Sequence, residues 1–333
     1  MIGLRARSSA PDLAIDLGTA NVRLATARSG LVLDQPSLVA RDGRGSLVAA
    51  GHEAVHLARH SPSGLSFTAP LAGGVVVDLD AAVALVHWAL RQVAATGRRR
   101  PHAVASVPVG ATEVERRALE TAIVSAGTRS PLTVVEEPLS AAIGAGLAVA
   151  DPYGSMVLDV GAGITEAAVV AEGGVVASSS ARVGCRAVAG LVARHMSRRH
   201  GLTLRPGAAQ RIWPRTLAPG AGGGLTVEGC DVRSGQFRAL EVGCEELAAV
   251  VQTPLHAMAT VAREALERAP IDLAADVAGQ GLALVGGGAR VPGLGAHLSA
   301  GTALPVRVPP DPLHAVATGS AACLRQVAVL PRP

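Results

Sequence analysis

One turn is written twice in this chain, and that repetition limits the fold more than any other feature. DLAIDLGTANVRLATARSGLVL, from Asp12, reads as an apolar strand, an Asp-x-Gly turn of small residues, a second apolar strand and a third strand after Ser29-Gly30. SMVLDVGAGITEAAVVAEGGVVASS, Ser155 to Ser179, repeats that order. Asp16 corresponds to Asp159 and Gly18 to Gly161, both offset by 143 residues (159 − 16 and 161 − 18). Duplication of a whole domain is the economical explanation. The length of 333 residues agrees with two domains of roughly 150 residues each.

A lone Asp-x-Gly turn is ordinary turn chemistry. Two copies at duplicated positions point to phosphate, because an anion held by hairpins needs backbone N–H groups that can approach closely, hence Gly and Ala. A carboxylate at the strand end then suits a hydrated Mg²⁺. Thr19, Ala20 and Asn21 form the first expected cradle, and Gly161, Ala162 and Gly163 the second, with Asp16 and Asp159 facing each other across the metal.

The remaining pattern alternates strand and helix. His102 to Val109 reads as a buried strand, and Thr112 to Gly127 as a helix opened by a Thr-x-x-Glu capping box (Thr112, Glu115). LTVVE is the next strand, followed by a helix from Pro138. A helix from about Gly184 to His200 ends in Arg198-Arg199-His200 before Gly201, as the helix dipole favours. Strand Leu282 to Val285 runs into Gly286-Gly287-Gly288, then a helix, strand PVRV and a last helix from Pro312; Pro214 to Gly224 reads as loop.

Composition removes several alternatives. All 30 basic residues are Arg, so a Walker A phosphate loop and Schiff-base chemistry, which both require Lys, are excluded. Aromatics at 2% leave few platforms for stacking bases, which argues against nucleic acid as a partner. Cys185, Cys230, Cys244 and Cys323 form no CxxC pair, so reduced, cytoplasmic thiols are expected. Residues 1–10 lack a signal peptide's apolar stretch and no run of 18 apolar residues occurs, so neither export nor a membrane span is expected.

IDLGTAN (Ile15 to Asn21), SVPVGATEVERRA (Ser106 to Ala118), VEEPLSAAIGAGL (Val135 to Leu147), GSMVLDVGAGITE (Gly154 to Glu166), LVGGGARVPGL (Leu284 to Leu294) and DPLHAVATG (Asp311 to Gly319) resemble, in order and spacing, the successive motifs of the MreB family of bacterial actin-like proteins. The resemblance implies an α/β, actin-like fold of two duplicated ribonuclease H-like domains, shared with heat-shock chaperone ATPases and sugar kinases. It implies domain I at 1–150 with a small subdomain at about 33–75, and domain II at 151–333 with a divergent small subdomain at about 185–250. ATP with Mg²⁺ would be bound by Gly18, Thr19, Ala20, Asn21, Gly161, Ala162, Gly163, Thr165, Gln210, Trp213, Gly286, Gly287, Gly288 and Ala289. Asp16 and Asp159 would hold the metal through water, and Glu137 would position the attacking water. Filaments of the protein with itself, at the inner face of the cytoplasmic membrane and alongside cell-wall synthesis proteins, are the implied assembly.

Departures from the family pattern qualify this. The second turn reads GAGIT where the family has GGGTT, so Ile164 removes a hydroxyl near the water site and slow hydrolysis is expected. Gly184-Cys185-Arg186 replaces Gly-Gly-Asp, and Gln210-Arg211-Ile212-Trp213 replaces Glu-Arg-Ile-Lys; Gln can still bond a ribose hydroxyl and Trp can stack. A scaffold paralogue that binds nucleotide but hydrolyses it weakly or not at all is therefore the alternative, and a small-molecule kinase of the same fold a remote one. Plain structural readings also stand beside the functional ones: Glu137 as helix N-terminal charge, and Gly286 to Ala289 as a strand-to-helix turn.

His52-Glu53-Ala54-Val55-His56 matches the zinc-peptidase HExxH pattern, extended by His60. The metzincin continuation and a third ligand are missing, which favours a surface helix bearing scattered His. Arg98-Arg99-Arg100 and the N-terminal Ile2, Leu4, Arg5 and Arg7 are two weak basic patches suited to anionic lipid, where each Arg contributes about 1 kcal/mol.

Overall fold

The computed structural model describes residues 13–60, 63–93, 100–220 and 222–326. Contacts divide the chain into two units, Met1–Gly144 with Val316–Pro333, and Ala145–Ala315.

The first unit begins with β1 (Leu13–Leu17), β2 (Asn21–Thr26) and β3 (Gly30–Pro36), an antiparallel meander. A small sheet follows from β4 (Val39–Arg41), β5 (Leu47–Ala50) and β6 (Ser66–Thr68), carrying helix α1 (His52–His60) between its last two strands. The short pair β7 (Leu71–Ala72) and β8 (Val75–Val76) leads to α2 (Leu79–Gln92), β9 (Ala103–Val107), α3 (Glu113–Ser125), β10 (Thr133–Glu136) and α4 (Glu137–Gly144). The main sheet has the order β10-β9-β1-β2-β3, with β9 parallel to both β1 and β10. β1 and β9 are buried along their whole length, as expected of parallel strands covered on both faces. Leu85, Val86 and Ala89 of α2 and Leu119 and Ile123 of α3 pack with Leu13, Ile15 and Leu24 of the sheet. The capping box forms as expected: the Thr112 hydroxyl accepts from Glu115 N–H while the Glu115 carboxylate accepts from Thr112 N–H.

The second unit repeats the plan. β11 (Ser155–Val160), β12 (Thr165–Ala171) and β13 (Gly174–Ala181) form the meander, and α5 (Cys185–His200) follows. β14 (Leu202–Leu204), α6 (Ala208–Ile212), a 3-10 turn at Trp213–Thr216, β15 (Gly224–Asp231) and β16 (Phe237–Gly243) build a three-stranded sheet and its approach. The sequence reading left β15 and β16 unassigned. Next come α7 (Cys244–Glu267), α8 (Ile271–Gln280), β17 (Leu282–Val285), a 3-10 turn at Gly287–Arg290, α9 (Leu294–Thr302) and β18 (Val306–Arg307). The main sheet runs β13-β12-β11-β17-β18, the same succession as the first, with β17 parallel to β11 and β18. α7 presents Leu247, Val251, Leu255, Met258 and Ala262 to the core at helical spacing.

The last helix, α10 (Ala315–Gln326), falls with the first unit, where the sequence expectation had assigned 151–333 to the second domain. Packing explains this placement: Ala321 and Leu324 join Ala14, Ala25 and Val104 on the first sheet, and Ser320 Oγ donates to Ser140 Oγ of α4 at 3.1 Å. A Cβ at Gly319 would lie 1.8 Å from the Ser140 carbonyl oxygen, so only glycine allows the two helices this approach. Among the described residues, no helix is long and apolar enough to cross a membrane.

Candidate functional site

The repeated turns coincide at the level of individual hydrogen bonds. In the first, Gly18 N–H donates to the Asn21 carbonyl at 2.9 Å; in the second, Gly161 N–H donates to the Ile164 carbonyl at 2.9 Å. A Cβ at either glycine would sit 3.1 Å from that same carbonyl oxygen. Thr19-Ala20 and Ala162-Gly163 thus form two-residue tips between paired strands, and Ala20, Ala162 and Gly163 are partly exposed.

Each tip is fixed from behind. Ser37 Oγ donates to Gly18 O at 2.7 Å, Ser37 N–H donates to Ala20 O at 2.8 Å, and the Thr19 hydroxyl oxygen accepts from Gly74 N–H at 2.9 Å. In the second unit the first residues of α5 do this work, Cys185 N–H donating to Gly161 O at 3.0 Å and Arg186 N–H to Ala162 O at 2.9 Å. Gly184, the residue before α5, lies so close that a Cβ would meet the Ala162 carbonyl at 2.6 Å. Two tips whose backbone is ordered before any anion arrives suit phosphate binding through N–H groups.

The carboxylates differ in their surroundings. Asp16 pairs in register with Arg23 across the first hairpin, and Asp159 with Glu166 across the second, so Arg23 and Glu166 occupy the same place in the repeat. Arg23 Nη1 donates to Asp16 Oδ2 at 3.1 Å, and Arg23 Nε lies 3.3 Å from Asp34 Oδ1, an ion pair whose angle misses hydrogen-bond geometry. Asn21 Nδ2 also donates to Asp34, at 2.6 Å. Burial alone would lower the Arg23 pKa, but the Asp16 and Asp34 carboxylates more than reverse it, so the guanidinium is held charged. Asp16 is thereby paired with a cation across the hairpin, while the register partner of Asp159 is Glu166.

The glycine run passes close against Asp159. Gly286, at φ +79°, places its Cα where a Cβ would come within 2.1 Å of Asp159 Oδ1, and a Cβ at Gly288 would strike Val160 Cγ1 at 2.4 Å. Packing against β11 is sufficient reason for both glycines. Gly287 differs, its nearest neighbour being Leu313 Cδ1 at 3.9 Å, so it is the residue of the run that packing leaves open. Ala289 lies in the 3-10 turn that follows, its N–H donating to Gly286 O at 3.2 Å.

Other expected residues fall elsewhere. Glu137 is the first residue of α4, at a direct junction with β10, and is partly exposed. Gln210 is exposed on α6. Trp213 corrects the sequence reading: it is 1% exposed and packed in the second core, so its ring is a core element and has no face to offer a nucleoside. The Thr165 side chain is likewise buried, and its hydroxyl donates to Val183 O at 2.7 Å. At the Gly-Cys-Arg departure, burial first and the Asp159 charge second push the Cys185 thiol up to about 11, making it an inert neutral group at physiological pH. Burial lowers the Arg186 pKa beside it. Arg23 was missed from sequence; the signal available was its place opposite Asp16 once the hairpin register is drawn.

On α1, His52, His56 and His60 are all exposed, and His60 Nδ1 meets the carbonyl of His56 at 2.8 Å. Arg98, Arg99 and the N-terminal patch of Ile2, Leu4, Arg5 and Arg7 lie outside the described residues, and Arg100 is exposed.

The profile of the MreB/Mbl protein family matches residues 10–331. The cell shape-determining protein MreB of Escherichia coli K12 is 36% identical over 326 residues, covering 95% of this chain and 94% of that protein. The cell shape-determining protein Mbl of Bacillus subtilis is 31% identical over 328 residues, covering 97% and 98%. Among solved structures, MreB 5 of Spiroplasma citri bound to AMPPNP superposes with a TM-score of 0.84 at 25% identity, covering 96% of this chain and 97% of that one. A MamK double helical filament superposes with a TM-score of 0.74 at 19% identity and adds a likeness of fold.

Proposed function

This chain belongs to the MreB/Mbl family, and from that premise we propose that it is an actin-like cytoskeletal protein that binds ATP and assembles with itself into filaments that determine cell shape. The observation that carries the reading is the pair of turns at Gly18–Asn21 and Gly161–Ile164, identical in register and closing hydrogen bond and each braced from behind. In this reading the tips of these turns donate N–H groups to nucleotide phosphates. The AMPPNP bound by the Spiroplasma relative supports an adenine nucleotide as the ligand.

Mg²⁺, when bound, would neutralise phosphate charge and polarise the terminal phosphoryl group. The residues fit it unequally. Asp16 is engaged by Arg23, and Asp159, in register with Glu166, would hold the hydrated divalent ion through its carboxylate. Gly286 and Gly288 keep the end of β11 in place. Glu137, at the junction of β10 and α4, accepts a hydrogen bond from a water aimed at the terminal phosphoryl group. Slow turnover suits a filament whose nucleotide state sets its lifetime, and Ile164 beside the second turn, with no hydroxyl, supports that slowness.

Peripheral attachment to the inner face of the cytoplasmic membrane belongs to the same reading, with Arg100 as the described part of its basic patch. Filaments multiply contacts that are weak singly. Cell-wall synthesis proteins are the partners proposed for such a filament. Electron microscopy of the pure protein with ATP, ADP or no nucleotide, beside vesicles containing anionic lipid, tests the proposal. ATP-dependent filaments lying on the vesicles are expected, and a chain that stays monomeric in every condition refutes it. The scaffold alternative gains from the pairing of Asp16 with Arg23. Phosphate release equal to that of Glu137→Ala selects it, and a drop of tenfold or more in that variant selects the ATPase.

A further inference from the structure

Away from the turns, two helices of the second unit bring three ligand-bearing side chains to one point. His200 is the last residue of α5, His195 lies five residues before it, and Glu246 stands in the first turn of α7. Nε2 of His195 is 2.5 Å and Nε2 of His200 2.7 Å from the same oxygen, Oε1 of Glu246. The imidazole rings meet edge to face, with centroids 5.7 Å apart and planes at 71°. One ligand atom from each residue lies within 4.8 Å of the others. Among the described residues this is the single group of three His, Cys, Asp or Glu side chains gathered so closely.

We propose that His195, His200 and Glu246 form a binding site for a divalent transition-metal ion of the Zn²⁺ class. Two imidazole nitrogens and one carboxylate oxygen match the preference of such ions, whereas Mg²⁺ favours oxygen ligands and retained water. Three protein ligands leave a fourth position for water. With metal–ligand distances near 2.0–2.1 Å, neighbouring ligand atoms of a tetrahedral site lie about 3.3 Å apart, so the N···O contacts must open by roughly 0.6–0.8 Å. The side chains have room for that shift, since His195, His200 and Glu246 are 24%, 21% and 35% exposed. The same exposure gives an ion its path in. Both Nε2 atoms already converge on one oxygen, so little side-chain freedom is lost on binding.

The competing explanation is a hydrogen-bonded clasp in which two imidazole N–H groups share one acceptor. A clasp and a metal site differ in an observable way: metal displaces the Nε2 protons, and its affinity depends on all three side chains together. A bound ion also ties the end of α5 to the start of α7, flanking the sheet β14-β15-β16. Its positive charge sits at the C-terminal, negative pole of α5, where Arg238 Nη2 already donates to the His200 carbonyl.

The test is calorimetric titration of the full chain, freed of metal with a chelator, with Zn²⁺ alone. One equivalent is expected to bind with a dissociation constant of about 10 μM or tighter. Affinity should fall at least tenfold in the double variant His195→Ala, His200→Ala and remain unchanged in His56→Ala, which alters the HExxH segment. Glu246→Gln keeps an acceptor for both imidazoles, so it should preserve the circular dichroism and melting curve while weakening Zn²⁺ at least tenfold. Co²⁺ should give ligand-field bands in the visible spectrum of the parent that the double variant lacks. Absence of binding in the parent, or equal affinity in parent and Glu246→Gln, overturns the proposal. Neither result depends on whether nucleotide binds at the turns.

Discussion

Replacing Arg23 with Leu should destabilise the first unit far more than loss of a surface ion pair does. The side chain of Arg23 is 12% exposed and that of Asp16 7%, so the pair is largely removed from water, and Asp34, at 24%, is the better solvated of the two acids. Deleting the cation removes the ion-pair partner of a buried carboxylate, a change that typically costs about 3–5 kcal/mol, against about 0–1 kcal/mol for an exposed pair. The lower end applies here, because Asp34 keeps its bond from Asn21. For a unit of this size about 3 kcal/mol corresponds to a fall of roughly 6–12 °C in melting temperature. Melting curves of parent, Arg23→Leu and the double variant Arg23→Leu, Asp16→Asn, all in chelator, measure it. The double variant should regain much of the loss, since the buried charge goes with its partner. A loss under about 1 kcal/mol for Arg23→Leu, or a double variant no more stable than the single one, refutes the claim that this cation neutralises a buried carboxylate.

Gly286→Ala should cost about 1–3 kcal/mol, from the left-handed backbone and the contact with Asp159, and should weaken nucleotide binding, while Gly287→Ala should leave melting within about 1 kcal/mol of the parent. Trp213→Ala should cost about 3–5 kcal/mol as a core deletion, whereas Trp213→Phe should leave ATP affinity within twofold by equilibrium dialysis; a tenfold loss would restore the stacking role. Iodoacetamide at pH 8 should modify the exposed Cys230 first, and labelling of Cys185 should accelerate only as the pH climbs toward its value near 11, where the thiolate forms.

What the sequence made legible was local. The repeated turn, the Thr112–Glu115 capping box and the stop at Gly201, which takes the left-handed conformation at φ 58°, are each written in a few adjacent residues. The helical stripe of α7, Leu247, Val251, Leu255, Met258 and Ala262, runs past Pro254, a residue that in sequence marks a helix break. The hairpin of β15 and β16 was hidden by the Gly-rich stretch before it. Within the candidate site, small residues announced the turns, but Trp213 could not be assigned to core or ligand from its type, since an indole suits either. Gly154 stood in a matched motif without a stated reason; its N–H donates to Asp276 at 2.9 Å, and a Cβ there would meet the Leu273 carbonyl at 2.4 Å. Such reasons come from segments far away in sequence, and no local pattern encodes them.

The return of α10 to the first sheet has a bearing on how the protein is made. Translation delivers β1, β2 and β9 early, yet the apolar patch of Ala14, Ala25 and Val104 keeps no cover from this helix until residues 315–326 have been synthesised. Residues 145–315, by contrast, are contiguous and can close as soon as they emerge. The part of the molecule that leaves the ribosome first is therefore the part finished last, and a nascent chain halted before Ala315 presents its unfilled first sheet to whatever chaperone or sister chain is at hand.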